Sequence, residues 1–268
     1  SILPPGDIKI DLVRAESANV KLIIHEGDST MNINLWGSEL ADIFGSANPT
    51  STKPGFSIEN LELRQADFVL LNLNEQYVKE GIDYNHLHFE NITANASNLS
   101  IDKGVFTIDV SMLSGSEKSS GLDIQKFQTN FTFSPRKMEF SELHLKTSKS
   151  QIKDYLLFEY DSPSDFSNFI EDVTITARLD ETEIDLKDLK VFAPSLPDYE
   201  DQIFFSGEVK GQISNISSDE ILIRLGDKTA IFGSFILEGL PDIDNTYINL
   251  SLKNSTLISK DLQPYLRD

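Results

Sequence analysis

The sequence predicts an all-β protein: an elongated, curved antiparallel sheet that forms an open groove, with one or two short connecting helices. The main observation is a period-two alternation of apolar and polar residues, as in Ile8, Ile10 and Leu12, which alternate with Lys9 and Asp11. Alternation of this kind gives a strand one apolar face. The second observation is that alternating segments follow one another through Gly, Asn, Asp and Ser turns, with almost no helical pattern between them. This order favours antiparallel meanders over parallel β-α-β units.

The predicted strands are short and rich in β-branched and aromatic residues, which is typical of strands. After Ile8–Leu12 they comprise Met31–Leu35, Phe68–Leu73, Val105–Val110, Phe131–Phe133, Tyr155–Tyr160, Val173–Leu179, Ile203–Val209, Ile221–Leu225, Ile231–Leu237 and Tyr247–Leu252. Two short helices are expected between them. One lies between Ser38 and Gly45, and the other begins near Ser164 or Asp165 with Phe166 on its apolar face.

One stretch has the composition of a loop throughout: residues 46–55, Ser-Ala-Asn-Pro-Thr-Ser-Thr-Lys-Pro-Gly. We take it as the best internal boundary. Residues 1–48 are then predicted to be an N-terminal β segment with a short helix, and residues 49–268 a repetitive β-groove segment. The chain begins Ser-Ile-Leu-Pro-Pro, with neither an initiator Met nor a signal-type apolar region. We therefore expect a processed chain or a fragment, with any membrane anchor outside it.

A loose repeat follows that boundary. Its form is apolar-x-apolar-x-x-apolar-x-apolar, and the segments that match it are Phe56–Leu63, Ile82–Phe89, Met138–Leu145, Ile184–Val191 and, except at its last position, Leu122–Thr129. The extra residue in the middle would reverse the faces of a straight strand. We therefore expect a bulge or corner at each midpoint, namely Asn60, Asn85, Lys126, Glu142 and Asp188.

The apolar members of the repeat are the candidates for lining an apolar groove. They are Ile58, Leu61, Leu63, Ile82, Tyr84, Leu87, Phe89, Met138, Phe140, Leu143, Leu145, Ile184, Leu186, Leu189 and Val191. Every antiparallel sheet needs one apolar face for its core, so the same residues also suit a closed core. The periodicity leaves both interpretations open.

The composition excludes several classes of function. With 23 basic and 43 acidic residues the net charge is −20, which repels nucleic acid and anionic lipid headgroups, so any lipid contact has to be made through acyl chains. The absence of cysteine excludes disulfides, thiolate metal sites and thiol catalysis. The chain has 17 Phe against seven Tyr and one Trp, which favours a dry interior or an apolar groove over a polar binding face. No apolar run approaches the roughly 20 residues that span a bilayer.

The sequence contains no recognisable catalytic constellation. It has no nucleophile elbow, no phosphate-binding loop and no dinucleotide fingerprint, so we expect neither an enzyme nor a cofactor. His86 and His88 are two residues apart on a predicted strand, which is a conceivable metal-binding spacing. They also occupy the polar positions around Leu87, and no further ligand motif accompanies them. The favoured interpretation is a solvated strand face, and no metal site is predicted.

Residues Phe166 to Leu262 resemble the translocation-and-assembly module TamB of the AsmA-like superfamily, in the form found in Bacteroidota. The stretches that carry the resemblance are Asp165–Val173 (Asp-Phe-Ser-Asn-Phe-Ile-Glu-Asp-Val), Ile184–Pro194 (with Phe-Ala-Pro at its end), Ser206–Gly211 (Ser-Gly-Glu-Val-Lys-Gly) and Phe235–Ile248 (with Gly-Leu-Pro-Asp-Ile). They lie within a little over a third of the chain. Upstream, from Phe56 to Tyr160, only the loose repeat fits.

The resemblance implies a function as well as a fold. Members of this superfamily are cell-envelope proteins, anchored in the inner membrane, whose sheet curls into a taco-shaped trough across the periplasm. The trough is thought to carry phospholipid acyl chains in outer-membrane biogenesis. This chain would then be a piece of such a trough, without the N-terminal membrane helix and without the end that meets an outer-membrane β-barrel partner. The family has no catalytic residues to transfer.

Two other functions are compatible with the sequence. A secreted or surface β-solenoid that binds glycan or protein would explain the acidic exterior and the polar turns, but it should display aromatic platforms, for which only Trp36 and scattered Tyr are available. A β-helical polysaccharide lyase would need acidic calcium ligands grouped with a basic residue, and the basic residues are scattered. The lipid conduit is therefore the leading hypothesis.

Overall fold

The computed structural model describes residues 8–28, 56–102, 104–192, 194, 199, 201–242 and 245–263. The all-β prediction is confirmed in this part of the chain. Its strands are β1 (Ile8–Glu16), β2 (Asn19–Ile24), β3 (Phe56–Asn72), β4 (His86–Asp102), β5 (Val105–Glu117), β6 (Asp123–Ser134), β7 (Lys137–Thr147), β8 (Gln151–Glu159), β9 (Thr174–Asp185), β10 (Gln202–Gln212), β11 (Asn215–Leu225), β12 (Thr229–Glu238) and β13 (Tyr247–Leu252). The helices are a 3-10 helix (Pro163–Asn168), α1 (Phe169–Asp172), α2 (Leu186–Phe192) and α3 (Ser259–Leu262).

The strands form one open 13-stranded sheet in the order β1-β3-β4-β5-β6-β7-β8-β9-β10-β11-β12-β13, with β2 also paired to β3. The pairs from β3 to β5 and from β7 to β13 are antiparallel, as the short turns predict. The start of the sheet differs from the prediction, because β1 and β2 both pair with β3 in parallel. They follow one another along the same side of β3, which is 17 residues long and accommodates both.

The chain divides into two compact units. Unit 1 comprises residues 1–125 and 191–194, and unit 2 comprises residues 126–190 and 195–268. The predicted boundary at residue 48, the strand Met31–Leu35 and the helix after Ser38 all lie outside the described residues. The division into segments 1–48 and 49–268 therefore stays a prediction.

The second predicted helix is confirmed by the 3-10 helix and α1, which together span residues 163–172. A different outcome is found at Ile184–Val191, where the repeat predicted a strand with a bulge at Asp188. There β9 ends at Asp185 and α2 begins at Leu186. The apolar spacing of this segment fits a helix as well as a bulged strand, since Leu186 and Leu189 are three residues apart. Within the described ranges, no helix is long and apolar enough to cross a membrane.

Of the five midpoints at which a bulge or corner was predicted, one, Glu142, has a bulge. Lys126 lies within β6, and the bulge there stays a prediction. At Glu142 the backbone φ is +52° and the register with β8 shifts between Phe140 and Leu143, so the bulge is confirmed. At Asn60 the register of β3 with both β1 and β4 is unchanged, so a bulge there is a wrong prediction. Glu59 and Asn60 are both exposed, as are Asp11 and Leu12 beside them on β1. Asn85 lies in the turn before β4 and Asp188 lies in α2, so bulges there are wrong predictions.

An irregular point lies at the β1–β2 junction, in β3 and in β4 of unit 1. Ser17, Gln65 and Asn91 have φ values of +54°, +50° and +55°. The backbone N–H of Ser17 donates to the carbonyl of Arg64 at 2.8 Å, which ties the β1–β2 junction to β3. The register of β3 with β4 shifts by one residue at this irregular point and returns to its earlier value beyond it, so the two strands stay paired on both sides.

Candidate functional site

In unit 2, the cross-strand pairing places apolar side chains on one side of the strands β7 to β13. Residues that oppose each other on paired strands point to the same face of a sheet. One row of such partners runs through Met138, Phe158, Ile175, Gly211, Ile216, Leu237 and Ile248. Parallel rows on the same side include Phe140-Leu156-Ala177-Val209, Phe205-Ile223-Ile231 and Ile184-Ile203-Leu225. We call the surface made by these rows the apolar face.

The opposite side of the same strands is mostly polar. The adjacent row runs through Glu139, Leu157, Thr176, Lys210, Ser217, Ile236 and Asn249. On this side the guanidinium of Arg178 lies 4.1 Å from the centre of the Tyr155 ring, and the Tyr155 hydroxyl donates to Glu139 at 2.8 Å. Hydrogen bonds from Lys137 and Tyr155 outweigh partial burial and lower the pKa of Glu139, so this carboxylate is ionised. The sheet of unit 2 therefore has one apolar face and one mostly polar face.

Most of the apolar face is only half-buried. In the described part of the chain, eleven apolar residues are fully buried, and only a few of them, such as Leu143, Ile221 and Leu225, belong to this side of unit 2. The face is most open on β13, where Ile248, Leu250 and Leu252 are 56%, 55% and 46% exposed. Contiguous exposed apolar surface of this kind marks a binding surface more often than it marks a monomer's ordinary exterior.

An aromatic cluster lies at one end of the apolar face. The Phe140 ring is 4.8 Å from that of Phe131 and 6.3 Å from that of Phe158, measured between ring centres. Phe158 in turn lies 5.5 Å from Phe169 of α1 and 6.5 Å from Phe166 of the 3-10 helix. Tilted and edge-to-face contacts at these separations are the favoured geometries of aromatic pairs. The 3-10 helix and α1 therefore cover the end of the face at Phe158.

Local hydrogen bonds fix that helical cover. The carboxylate of Asp165 accepts from the backbone N–H of Asp161 at 2.8 Å and from the backbone and hydroxyl of Ser162 at 3.1 and 3.0 Å. The backbone contact with Ser162 is the main cause that lowers the pKa of Asp165. At the other end of the segment, the N–H of Ser214 donates to the carbonyl of Ile170 at 3.3 Å. The segment is thus held at both ends against the strands that it covers.

A buried hydroxyl network anchors α2 at the other end of β7 and β8. The Asp188 carboxylate accepts from the hydroxyls of Thr147 and Ser150 at 2.5 and 2.7 Å, and the Ser150 hydroxyl accepts from the N–H of Asp185 at 3.0 Å. Three of the predicted lining residues therefore leave the sheet with this helix. Leu186 is buried, Leu189 is 37% exposed, and Val191 is half-buried.

Four of the other predicted lining residues of unit 2, Met138, Phe140, Leu145 and Ile184, are half-buried in the sheet, whereas Leu143 is buried. In unit 1, Leu61 and Leu63 pair with Ala96 and Ala94 of β4, and Ile58, which is buried, pairs with Leu99. Leu87 and Phe89 pair with Leu70 and Phe68. Ile82 and Tyr84 precede β4 in a loop, and Tyr84 is 63% exposed, so these two are not on a strand face.

The prediction that His86 is solvated is wrong. Its side chain is buried beside Asp83, with Nδ1 2.8 Å from the carboxylate, and Nε2 lies 3.0 Å from the carbonyl of Asn72. Both nitrogens face acceptors, so both contacts are hydrogen bonds only when both nitrogens carry protons. The exposed Tyr77 ring stacks on the imidazole at 3.8 Å. The Asp-x-x-His spacing is the sequence signal that could have indicated this pair.

Asp83 organises the loop between β3 and β4. Besides the contact with His86, its carboxylate accepts from the backbone N–H of Val78 at 2.8 Å and from that of Asn85 at 3.1 Å. Burial alone would raise the pKa of Asp83, but these hydrogen bonds and His86 outweigh it and lower the pKa. The carboxylate is therefore ionised in the folded state, and it serves as the acceptor that holds the loop.

Glu117 has the same role at the turn after β5. Its side chain is 1% exposed and accepts from the N–H and hydroxyl of Ser120 at 2.7 and 2.6 Å and from the N–H of His88 at 3.1 Å. Burial raises its pKa, but the hydrogen bonds from Ser120, His88 and Ser119 together lower it. Every partner is a donor from the turn or from β4, so Glu117 has a structural role: it holds the turn against the neighbouring strand.

The described residues contain no group of three or more His, Asp or Glu side chains that could hold a metal ion. A polar depression of about 190 Å³ lies on the opposite side of β11 to β13, and hydroxyl and amide side chains such as Ser217, Ser234 and Asn249 line it. This volume is below the roughly 300 Å³ of an ordinary ligand pocket. A second depression, beside the turn between β11 and β12, has about 310 Å³ and only just reaches that size; Phe204, Arg224 and Lys228 are among the residues that line it. The apolar face is therefore the candidate functional site.

Comparisons of the chain with protein-family models, with curated proteins and with solved structures found no match. Three of the four stretches from which the sequence predicted a resemblance to TamB lie on separate elements of unit 2. Asp165–Val173 includes the end of the 3-10 helix and α1, Ser206–Gly211 lies in β10, and Phe235–Ile248 begins in β12 and ends in β13. The function is accordingly inferred from the geometry and chemistry of the apolar face.

Proposed function

We propose that this chain is a non-enzymatic lipid-conduit segment, whose apolar face holds phospholipid acyl chains during their passage between the inner and outer membranes. One observation carries the proposal. The apolar face continues through paired side chains across β7 to β13, while most of those side chains remain half-buried or exposed. A face that is apolar, continuous across strands and incompletely covered has the properties that a hydrocarbon chain needs.

The energetics favour such a surface for lipid transfer. Exposing the tails of a phospholipid with about thirty chain methylenes to water costs roughly 25 kcal/mol of free energy, at about 0.8 kcal/mol for each methylene. Contact with the apolar face replaces part of that water contact by hydrocarbon contact. Since successive rows of the face have similar chemistry, movement from one row to the next meets no large barrier. Transfer then needs no bond-making step.

The charge of the chain supports the orientation of the lipid. A net charge of −20 and a mostly polar opposite side keep headgroups in solvent, and they select against binding through phosphate. The tails are then the part of the lipid that the protein contacts. In this role the segment lies in the periplasm, within a parent protein that is anchored in the inner membrane and meets an outer-membrane β-barrel partner. These are the location and partners that the resemblance to TamB implies.

A matched pair of substitutions tests the proposal. Ile223 belongs to the apolar face, between Phe205 and Ile231, whereas its neighbour Leu222 points to the other side, between Ser206 and Phe232. Both side chains are half-buried, so Ile223→Ser and Leu222→Ser remove similar hydrocarbon from opposite sides of one strand. The measurement is the transfer of a fluorescent-acyl phosphatidylethanolamine from vesicles to the protein.

We expect the wild-type chain and Leu222→Ser to take up the fluorescent lipid, and Ile223→Ser to bind it at least fivefold more weakly. Native mass spectrometry of gently purified protein should also show bound phospholipid. Circular dichroism on both variants controls for loss of the sheet. Equal weakening by the two substitutions, or a wild-type chain without lipid in both experiments, would exclude the apolar face as a lipid site.

A further inference from the structure

The strand β13 is an edge strand of the described sheet, and its side chains are exposed and uncharged. All six of its side chains are exposed, and within the described part of the chain no strand pairs with its outer side. Its sequence, Tyr-Ile-Asn-Leu-Ser-Leu, has no charged residue. Edge strands ordinarily carry charges that prevent pairing with another chain, and β1 at the start of the sheet has four, Lys9, Asp11, Arg14 and Glu16. The edge at β13 lacks this protection.

We propose that β13 is a self-association edge, through which two copies of this chain pair antiparallel into one continuous sheet. The alternation of β13 fixes the register. For the apolar face to continue from one copy to the other, an even-numbered residue of one β13 must oppose an even-numbered residue of the other, because the even-numbered residues lie on the apolar face. The register centred on Leu250 satisfies this condition: Leu250 opposes its own copy, Ile248 opposes Leu252, and Asn249 opposes Ser251.

The charges beside β13 complement each other in the same register. Lys253 directly follows the strand, and its N–H donates to the carbonyl of Phe232 at 2.7 Å, which continues the edge by one residue. At the other end, Tyr247 is paired with Glu238 of β12. In the proposed register, Lys253 of one copy opposes Tyr247 of the other. Glu238 is the residue paired with Tyr247 on its other side, so the three side chains lie in one row on the same face of the joined sheet. The twofold symmetry creates this Lys253–Glu238 approach twice, once at each end.

This charge pattern selects a second copy as the occupant of the edge. Two molecules with a net charge of −20 repel each other, so they approach only through a neutral surface with local attraction. β13 and its flanking Lys253 and Glu238 provide both. A six-residue strand pair is a small interface, so we expect a weak dimer with a dissociation constant on the order of 10 μM or above. The inference does not rest on the proposed lipid function.

The absence of cysteine makes a direct test possible. In the proposed register, Leu250→Cys places two sulfurs opposite each other, within reach of a disulfide after a small adjustment. Leu12→Cys on β1 is the matched control, because Leu12 is 47% exposed and Leu250 is 55% exposed. Under mild oxidation without lipid, we expect Leu250→Cys to form a covalent dimer at least tenfold faster than Leu12→Cys. Equal rates would overturn the register.

A charge-swap experiment tests whether a second copy of the chain pairs with β13. Sedimentation equilibrium on the wild-type chain at 5–300 μM should show a monomer–dimer equilibrium, which Glu238→Lys and Lys253→Glu should each weaken about fivefold. The double variant Glu238→Lys/Lys253→Glu should restore the wild-type equilibrium, since it re-creates the pairing in reverse. Restoration excludes loss of folding as the cause. A wild-type chain that is monomeric throughout, or a double variant weaker than both single variants, would refute the proposal.

Discussion

The two units stabilise the ends of their strands in different ways. In unit 1, buried ionised groups hold the loops: Asp83 pairs with His86, and Glu117 accepts three hydrogen bonds from its own turn and from β4. In unit 2, the end of β8 is held by the rings of Phe158, Phe166 and Phe169. The loops of unit 1 depend on directional hydrogen bonds to charge, whereas the end of β8 adds apolar ring contacts to the hydrogen bonds that Asp165 accepts.

The difference has a functional consequence. A buried carboxylate fixes a loop accurately, but it requires that every one of its acceptor positions finds a donor. Aromatic contacts tolerate small displacements and add no polar group to the surface that they cover. Unit 2 can therefore keep an apolar face beside its aromatic cluster. In unit 1 the charge is kept in the loops at the strand ends, apart from the paired apolar residues such as Leu61 and Leu63.

The largest expected effect comes from removing Asp83. Asp83→Ala leaves His86 buried without its anion and deprives Val78 N–H and Asn85 N–H of their acceptor. A buried donor that loses its acceptor costs about 1–3 kcal/mol, so the loss of the acceptor for these three donors should cost about 3–5 kcal/mol in total. We expect a loss of that size in the free energy of unfolding at pH 7, measured by urea denaturation, with hydrogen exchange increased first in the loop between β3 and β4.

The pH dependence of the same variant makes this prediction sharper. The folded pKa of Asp83 is lowered, so its contribution is complete above the ordinary carboxyl pKa and is lost as the pH falls through the lower, folded value. The difference between the wild-type chain and Asp83→Ala should therefore shrink below about pH 4. A difference that is constant from pH 7 to pH 3 would show that the stabilisation does not depend on the charge.

The strands were largely predictable from the sequence because their alternation is local. Tyr247–Leu252 is β13 with the predicted bounds, and Val105–Val110 lies within β5. The full 17-residue lengths of β3 and β4 were missed, since Gln65 and Asn91 with positive φ interrupt the alternation inside them. The parallel pairing of β1 and β2 was missed for another reason. The partner of a strand depends on residues far along the chain, which periodicity does not report.

The candidate site was predictable only in part. The repeat indicated Met138, Phe140 and Ile184, which the register of unit 2 places on the apolar face. It could not indicate α2, because hydrogen bonds to Asp188 from a distant turn, at Thr147 and Ser150, accompany the helix there. Nor could it indicate that Leu143 is buried whereas Leu250 is exposed, since both are apolar members of alternating strands. Burial depends on what covers a side chain, which is a non-local property.

An intermediate effect is expected in unit 2. Phe158→Ala removes the ring that contacts Phe140, Phe166 and Phe169. Full burial of a Phe is worth about 3–5 kcal/mol against Ala, and because Phe158 is half-buried we expect a loss of about 2–3 kcal/mol. Hydrogen exchange should increase in residues 163–172, which rest on this ring. In contrast to Asp83→Ala, the loss should be the same at pH 4 and pH 7, and a marked pH dependence would contradict the comparison between the units.

The smallest expected effect concerns the bulges, which both units share. Glu142 in β7 and Asn91 in β4 have φ values of +52° and +55°, and both side chains are exposed. A residue other than Gly in this region is strained by about 1 kcal/mol, and Asn tolerates it better than Glu does. Gly relieves the strain but loses about 0.5 kcal/mol or more through the entropy of the unfolded chain. Glu142→Gly should therefore stabilise the protein by about 0.5 kcal/mol, whereas Asn91→Gly should have almost no effect.

Ser141→Gly, next to the bulge, is the control and should destabilise the strand. The measurement is urea denaturation of the three variants. Equal losses of stability for Ser141→Gly and Glu142→Gly would show that the bulge at Glu142 is unstrained.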